Sequence, residues 1–246
     1  MRNIKLTLSY DGSGFSGWQV QPYQRTIQGA VEDALGIILN EKTRLYGAGR
    51  TDAGVHALGQ VANLRTENRI DCVGLHRGLN ALLPADVRII DVRDAEEDFD
   101  ARRSARSRLY MYFIVTADIM SPFGRNYAWH VRNCLDISAM QRAGGFLLGA
   151  HDFASFCGSG SDPEGTVREV IELSISKPHG CVIEFSIEAN AFLRHMVRNI
   201  VGTLALVGRG KLDSDEMLGI LDAKNRSSAG ETAPPWGLYL KEVKYL

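Results

Sequence analysis

Ile4, Leu6, Leu8 and Tyr10 alternate with Asn3, Lys5, Thr7 and Ser9 near the start of the chain. A strict period of two with one apolar row describes a strand buried on one face only. Such a strand demands a sheet with a layer packed against one side, and so restricts the choice of fold. The period then changes. Beginning at Thr26, a residue suited to an N-cap, Ile27, Val31, Ala34, Leu35 and Ile38 follow helical spacing. Short strands are expected near 43–48 and 58–66, a helix over 70–82 that stops before Pro84, and a strand over 87–93. The order β-α-β-β-α-β is that of the split ferredoxin-like unit.

The second half repeats the order. A strand is expected over 107–116, a helix over 136–148, and strands near 166–176 and 180–190. A long helix over 191–208, a short one over 213–223 and a closing strand over 237–246 follow. Only the order of elements recurs, not the sequence. The expected fold is α+β, with two ferredoxin/RRM-like βαββαβ halves, residues 1–105 and 106–246, in a largely antiparallel sheet with helices on one face.

The 246 residues, 45% apolar and 23% charged, are ample for a core. A net charge of −1 gives no bulk attraction for nucleic acid, but charge is unevenly placed. Residues 86–100 hold seven acids, and Arg102, Arg103, Arg106 and Arg108 follow directly. Charges act within ~8–10 Å in salt, so such a stripe can neutralise phosphates whatever the total. A solvated loop paired with the acids before it is an equal reading. Cys72, Cys134, Cys157 and Cys181 are widely separated and form no C-x-x-C, which points to reduced thiols rather than a zinc or disulfide framework. The six histidines do not cluster at ligand spacing, so no metal is expected. No apolar run approaches the ~18 residues of a membrane span, and the N-terminus lacks a signal-peptide block. A cytoplasmic, soluble protein is expected.

Three segments carry candidate chemistry. Gly49-Arg50-Thr51-Asp52-Ala53-Gly54-Val55-His56 places one carboxylate between glycines, with the cation Arg50 two residues away. Val55-His56 stands where a phosphate loop requires Lys-Ser/Thr, and no dinucleotide fingerprint fits. Taken alone the octet is as well read as an Asx turn. In the strand from Arg108 to Val115, Leu109, Met111, Phe113 and Val115 form an apolar row, which leaves Arg108, Tyr110, Tyr112 and Ile114 opposite. Tyrosines facing away from the core would stack a base, a contact worth roughly 1–3 kcal/mol; a second covering layer is the other reading. Along residues 192–204, Leu193, Val197, Ile200 and Leu204 fall in one helical stripe, and Arg194 and Arg198 lie on a flank that continues to Gly202 and Ala205. Small residues there admit another backbone or a ribose; Arg194 by itself reads as a solvated side chain.

The octet, the Arg108-x-Tyr110-x-Tyr112 strand, His195-Met196-Val197-Arg198-Asn199-Ile200-Val201-Gly202, the loop Tyr10–Gln19 and the closing Ala233–Leu240 all resemble the tRNA pseudouridine synthase A family. Asp100 and Trp236 depart mildly, at or near positions where that family commonly shows histidine. The resemblance implies two halves sharing the sheet around a central RNA-binding cleft. It implies a cofactor-free isomerase that converts uridine to pseudouridine at positions 38–40 of the tRNA anticodon stem-loop, acting as a homodimer. Asp52 would be the nucleophile on a flipped-out uridine, Tyr110 would pack on the uracil, and Arg198 would pair with Asp52. Arg50 is the candidate for filling the vacated space, and Arg102, Arg103, Arg106, Arg108 and Arg194 for further RNA contacts. A single acid suits a reaction without hydrolysis, since a glycosidase needs two carboxyl groups. An RNA-binding module without turnover would keep the arginines and Tyr110 but need no Asp52.

Overall fold

A computed structural model describes residues 1–132, 134–158 and 165–245. The chain forms two compact units, Met1–Arg106 with Tyr239–Leu246, and Ser107–Leu238.

In the first unit, strand β1 (Arg2–Tyr10) is followed by helix α1 (Ile27–Leu39), β2 (Tyr46–Gly47), β3 (His56–Thr66), α2 (Cys72–Leu82) and β4 (Val87–Ala95). This is the expected βαββαβ order. Strand β1 runs antiparallel to β3, with Leu6 opposite Ala62, and antiparallel to β4, with Leu6 opposite Val92. Its apolar row Ile4, Leu6 and Leu8 is fully buried, as are Val31 and Leu35 of α1 and Leu75 and Leu79 of α2. The helices start where capping chemistry allows. Thr26 accepts the Gly29 amide and Asp71 the Gly74 amide, each satisfying an orphan donor of the first turn.

The second unit holds β5 (Ser107–Val115), β6 (Trp129–His130), α3 (Ile137–Gly145), β7 (Gly149–Asp152), β8 (Val167–His179), β9 (Val182–Ala189), α4 (Met196–Gly208) and α5 (Glu216–Ala223). Antiparallel pairing gives the order β5-β9-β8-β7, and β6 lies parallel to the end of β5. Both units are thus mixed α and β, built on mostly antiparallel strands.

Two expectations are corrected here. The face of β5 assigned to the outside is the more buried one: Tyr112 and Ile114 have no exposure and Tyr110 has 8%, while Leu109, Met111 and Phe113 are half-buried. The cause is a covering segment. Tyr112 is roofed by residues 234–237, where its hydroxyl donates to the Pro234 carbonyl at 2.8 Å and its ring lies against Gly237. Helix α4 starts at Met196, not 191, because His195 has φ +60° and the Arg194 carbonyl is taken by the Gly158 amide. The short strands β6 and β7 are too brief to show a period.

The closing strand β10 (Leu238–Lys244), grouped by chain order with the second half, belongs almost wholly to the first unit. It runs parallel to β3 with Tyr239 opposite His56 and Leu240 opposite Ala57. The segment after β4 crosses the sheet face opposite the helices. Asn3 Nδ2 donates to the Glu96 and Phe99 carbonyls, both at 2.8 Å, and Asn63 Oδ1 accepts the Ala101 amide at 3.0 Å. The Tyr245 hydroxyl holds the Ala101 carbonyl at 2.7 Å. Among the described residues, no helix is long and apolar enough to cross a membrane.

Candidate active site

The octet is a loop leading into β3, and a second loop, residues 11–18, grips it at both ends. At one end a Cβ on Gly12 would collide with the Val55 carbonyl, so only glycine admits that approach. At the other, Gly17 has φ +92°, and a Cβ there would lie 2.7 Å from the Thr51 carbonyl and 3.1 Å from the Ala53 nitrogen. The Trp18 amide donates to the Thr51 carbonyl at 3.0 Å. Beneath the loop, the Tyr10 hydroxyl meets Thr51 Oγ1 at 2.8 Å and Gln60 Nε2 donates to the Gly49 carbonyl at 2.8 Å. Burial pushes the Tyr10 phenol up to about 12, so it stays neutral and available for hydrogen bonding.

Inside this grip the octet turns at Asp52, whose carbonyl accepts the Val55 amide at 3.2 Å, with Gly54 at φ +78°. Thr51 and Val55 are buried, Asp52 is half-buried and Arg50 is exposed. The turn therefore presents a carboxylate on a fixed backbone. His56, with 2% exposure, stacks on Tyr239 with centroids 4.7 Å apart. The Gly12 amide approaches its Nδ1 at 3.2 Å. Asp11 Oδ1 lies 3.2 Å from the same nitrogen.

The arginines that follow β4 are placed by a turn of their own. Asp100 Oδ1 accepts the Arg102 and Arg103 amides at 2.9 and 2.8 Å, which caps a turn presenting both exposed side chains. Arg106, also exposed, donates its amide to the Lys244 carbonyl. Next to this turn, the Ala101 amide is held by Asn63 of β3.

In the second unit, the Tyr110 ring meets Phe192 edge-on at 5.0 Å. Arg198 Nε donates to the Ala233 carbonyl at 2.7 Å, and the Ala233 amide returns a bond to the Arg198 carbonyl. Residues 226–234 are strapped along α4 by Asn199, which is fully buried. Its Oδ1 accepts from Thr232 Oγ1 at 2.6 Å and Arg226 Nη2 at 3.1 Å, while its Nδ2 donates to the Phe156 carbonyl at 2.8 Å. A Cβ on Gly202 would strike the Glu231 carbonyl, so the small residue on this flank admits another stretch of backbone. Burial pushes the Tyr112 phenol far above its ordinary value against the opposing charge of Arg198, leaving a neutral donor for Pro234. Arg108 Nη1 donates to the Asn190 carbonyl at 2.9 Å, and Arg194 is exposed in the turn before α4.

Sequence reasoning missed Gly12, Gly17 and Trp18 as the grip on the octet and Asn199 as the anchor of the strap. The available signal was the glycine-rich run Tyr10–Gln19 beside the glycine-rich octet.

A family model described as tRNA pseudouridine synthase matches residues 7–102 and 146–246. Proteins named tRNA pseudouridine synthase A from Thermoanaerobacter sp. (strain X514) and Geotalea uraniireducens (strain Rf4) are 44% and 45% identical over 245 residues, covering all of both chains. One of that name from Myxococcus xanthus is 42% identical, covering all of this chain and 92% of its own. The solved archaeal box H/ACA sRNP Nop10-Cbf5 complex matches with a TM-score of 0.39 and 12% identity, over 82% of this chain and 43% of that one. With a loop-borne aspartate, a buried tyrosine strand and a strapped arginine helix in place, and relatives this similar along the whole sequence, the chain belongs to the tRNA pseudouridine synthase A family and is an isomerase.

Proposed function

We propose that this enzyme converts uridine to pseudouridine at positions 38–40 of the tRNA anticodon stem-loop, with Asp52 as the nucleophile on a flipped-out uridine. The observation that carries the reading is the grip on the octet, which holds a half-buried carboxylate on a turn it cannot leave without breaking backbone contacts. Preorganisation of this kind serves a reaction in which one group attacks a nucleotide held in place. In the overall change the C1′–N1 bond breaks, a C1′–C5 bond forms, the C5 proton is lost and N1 gains one. The base is retained throughout. Tyr110 packs on the detached uracil and Arg198 pairs with Asp52. Arg50, exposed beside the acid, fills the space left in the helix, offsetting an unstacking cost of a few kcal/mol. Arg102, Arg103 and Arg106 meet phosphates away from the target, with Arg108 and Arg194 as lesser contacts. The enzyme works as a cytoplasmic homodimer, each chain carrying Asp52 in its first half and Tyr110 and Arg198 in its second.

Release of tritium from tRNA carrying 5-tritiated uridine tests the reading. Asp52→Ala should abolish release while tRNA binding stays within a few fold, and Arg198→Ala should lower the rate at least tenfold. Release by Asp52→Ala at the wild-type rate removes Asp52 from the chemistry. Sequencing of tRNA for pseudouridine in a strain lacking the protein should show loss at 38–40; loss elsewhere overturns the site assignment.

A further inference from the structure

Four non-glycine residues among those described have positive φ: Tyr23, Asn40, His195 and Lys224. Two of them end helices, Asn40 after α1 and Lys224 after α5, where a left-handed residue is an ordinary cap, and His195 lies in the turn that enters α4. Tyr23 has no such reason. It occupies the third position of a turn closed by the Gln24 amide on the Gln21 carbonyl at 3.3 Å, with Pro22 before it and φ +59°. That position favours glycine or asparagine, and a bulky side chain there is strained. Strain of this kind persists where the surroundings enforce it and clusters where a residue contacts a ligand.

The surroundings do enforce it. Residues 16–28 close on themselves through the Ser16 amide on Arg25 O at 2.8 Å, Ile27 on Gly17 O at 3.2 Å and Gln28 on Trp18 O at 3.0 Å. Gln21 Nε2 donates to the Ser16 carbonyl at 3.0 Å and Ser16 Oγ to Gln24 Oε1 at 2.8 Å. Arg25 lies 3.9 Å over the Phe15 ring and bonds both oxygens of Asp86. The result is a braced loop whose tip carries a fully exposed ring, at 105% of the reference area. The Tyr23 side chain makes no hydrogen bond, ion pair or ring contact with a described residue. The base of the same loop is Gly17-Trp18, which grips Thr51 and Asp52. Tyr23 is five positions on from Trp18, so its Cα lies within ~17 Å of that grip.

We propose that Tyr23 is a substrate-binding residue that stacks on an unpaired base of the tRNA next to the target uridine. Anticodon-loop bases are unpaired and can be splayed onto an aromatic ring, which suits a stiff, projecting tyrosine. The proposal rests on the reading of Asp52 as the reacting group, since that reading puts the target beside this loop.

The test pairs Tyr23→Gly with Tyr23→Phe. Glycine removes the ring and relieves the positive φ, so the melting temperature should rise while the tRNA Kd weakens about 5- to 150-fold, the range of one lost stack. KM should rise with it and kcat at saturation stay within about twofold. Phenylalanine keeps the ring, and Kd should stay within about twofold. Because stacking releases no counterions, the salt dependence of binding should be unchanged in both. Wild-type Kd for Tyr23→Gly, or a loss as large in Tyr23→Phe, overturns the proposal. So does wild-type tRNA binding by Tyr23→Gly with a changed oligomeric state in sedimentation, which would assign the ring to a protein contact. Filter binding of unmodified tRNA reads this outcome without turnover, so it stands even if the Asp52→Ala tritium assay fails its own test.

Discussion

The loop that carries Asp52 and the helix that carries Arg198 are held in opposite ways. In the first unit, backbone lies on backbone: Gly12 against Val55, Gly17 against Thr51 to Ala53, Trp18 bonded to Thr51. In the second, one buried side chain, Asn199, gathers Thr232, Arg226 and Phe156 and so fixes the segment that meets Arg198 at Ala233. A backbone grip is sensitive to any added atom. A side-chain knot is sensitive to any removed one. The contrast suits the tasks proposed for each, since a reacting group needs its main chain fixed, whereas a partner can be aimed through its neighbours.

Asn199→Ala gives the sharpest break. Three buried or half-buried partners lose their bond, and orphaned groups cost ~1–3 kcal/mol each, so a loss of about 3 kcal/mol or more is expected in urea unfolding. A loss under 1 kcal/mol would mean water replaces the amide and the knot is not what holds the strap.

Gly12→Ala and Gly202→Ala come next, because both place a methyl on a carbonyl and overpacking costs ~1–3 kcal/mol. They should separate in activity. Gly12→Ala moves the backbone that bears Asp52 and should lower kcat at least tenfold, with KM little changed. Gly202→Ala should cost similar stability with a smaller loss of kcat. Equal kcat losses would erase the distinction between the two grips.

The smallest effect is Tyr10→Phe, which removes one hydroxyl beneath the octet and should cost ~1 kcal/mol at neutral pH. Its sharper signature is alkaline. The folded phenol sits at about 12, above its ordinary 10.0, so its contribution is complete below pH 10 and is lost as pH rises from 10 toward 12. The wild type should therefore lose stability more steeply than Tyr10→Phe across that window in pH-dependent melting. Identical slopes would show that the phenol is not buried under the loop.

Much of this was legible in the sequence. The β1 alternation, Thr26 as a cap and the βαββαβ order of the first unit all appear where periodicity placed them. The failures share a cause: a segment distant in the chain covers what local pattern leaves open. The tyrosine row of β5 looked outward until residues 234–237 were laid over it. Residues 191–195 kept helical spacing, yet Gly158 takes the Arg194 carbonyl and His195 turns left-handed. The glycines that grip Asp52 carry no periodicity, and the collisions that require them occur between loops far apart in sequence.

The parallel pairing of β10 with β3 has a consequence for how the enzyme is made. The compact unit that bears the octet is interrupted by residues 107–238 and completed only afterwards. A nascent chain that has emerged through Arg106 thus exposes an unzipped edge at His56 and Ala57 while the whole intervening region is translated. Such edges invite mispairing during synthesis. Completion of the scaffold under the Asp52 loop is delayed until Tyr239 and Leu240 emerge, so clipping the polypeptide after Leu238 should harm the distant N-terminal half more than the adjoining region.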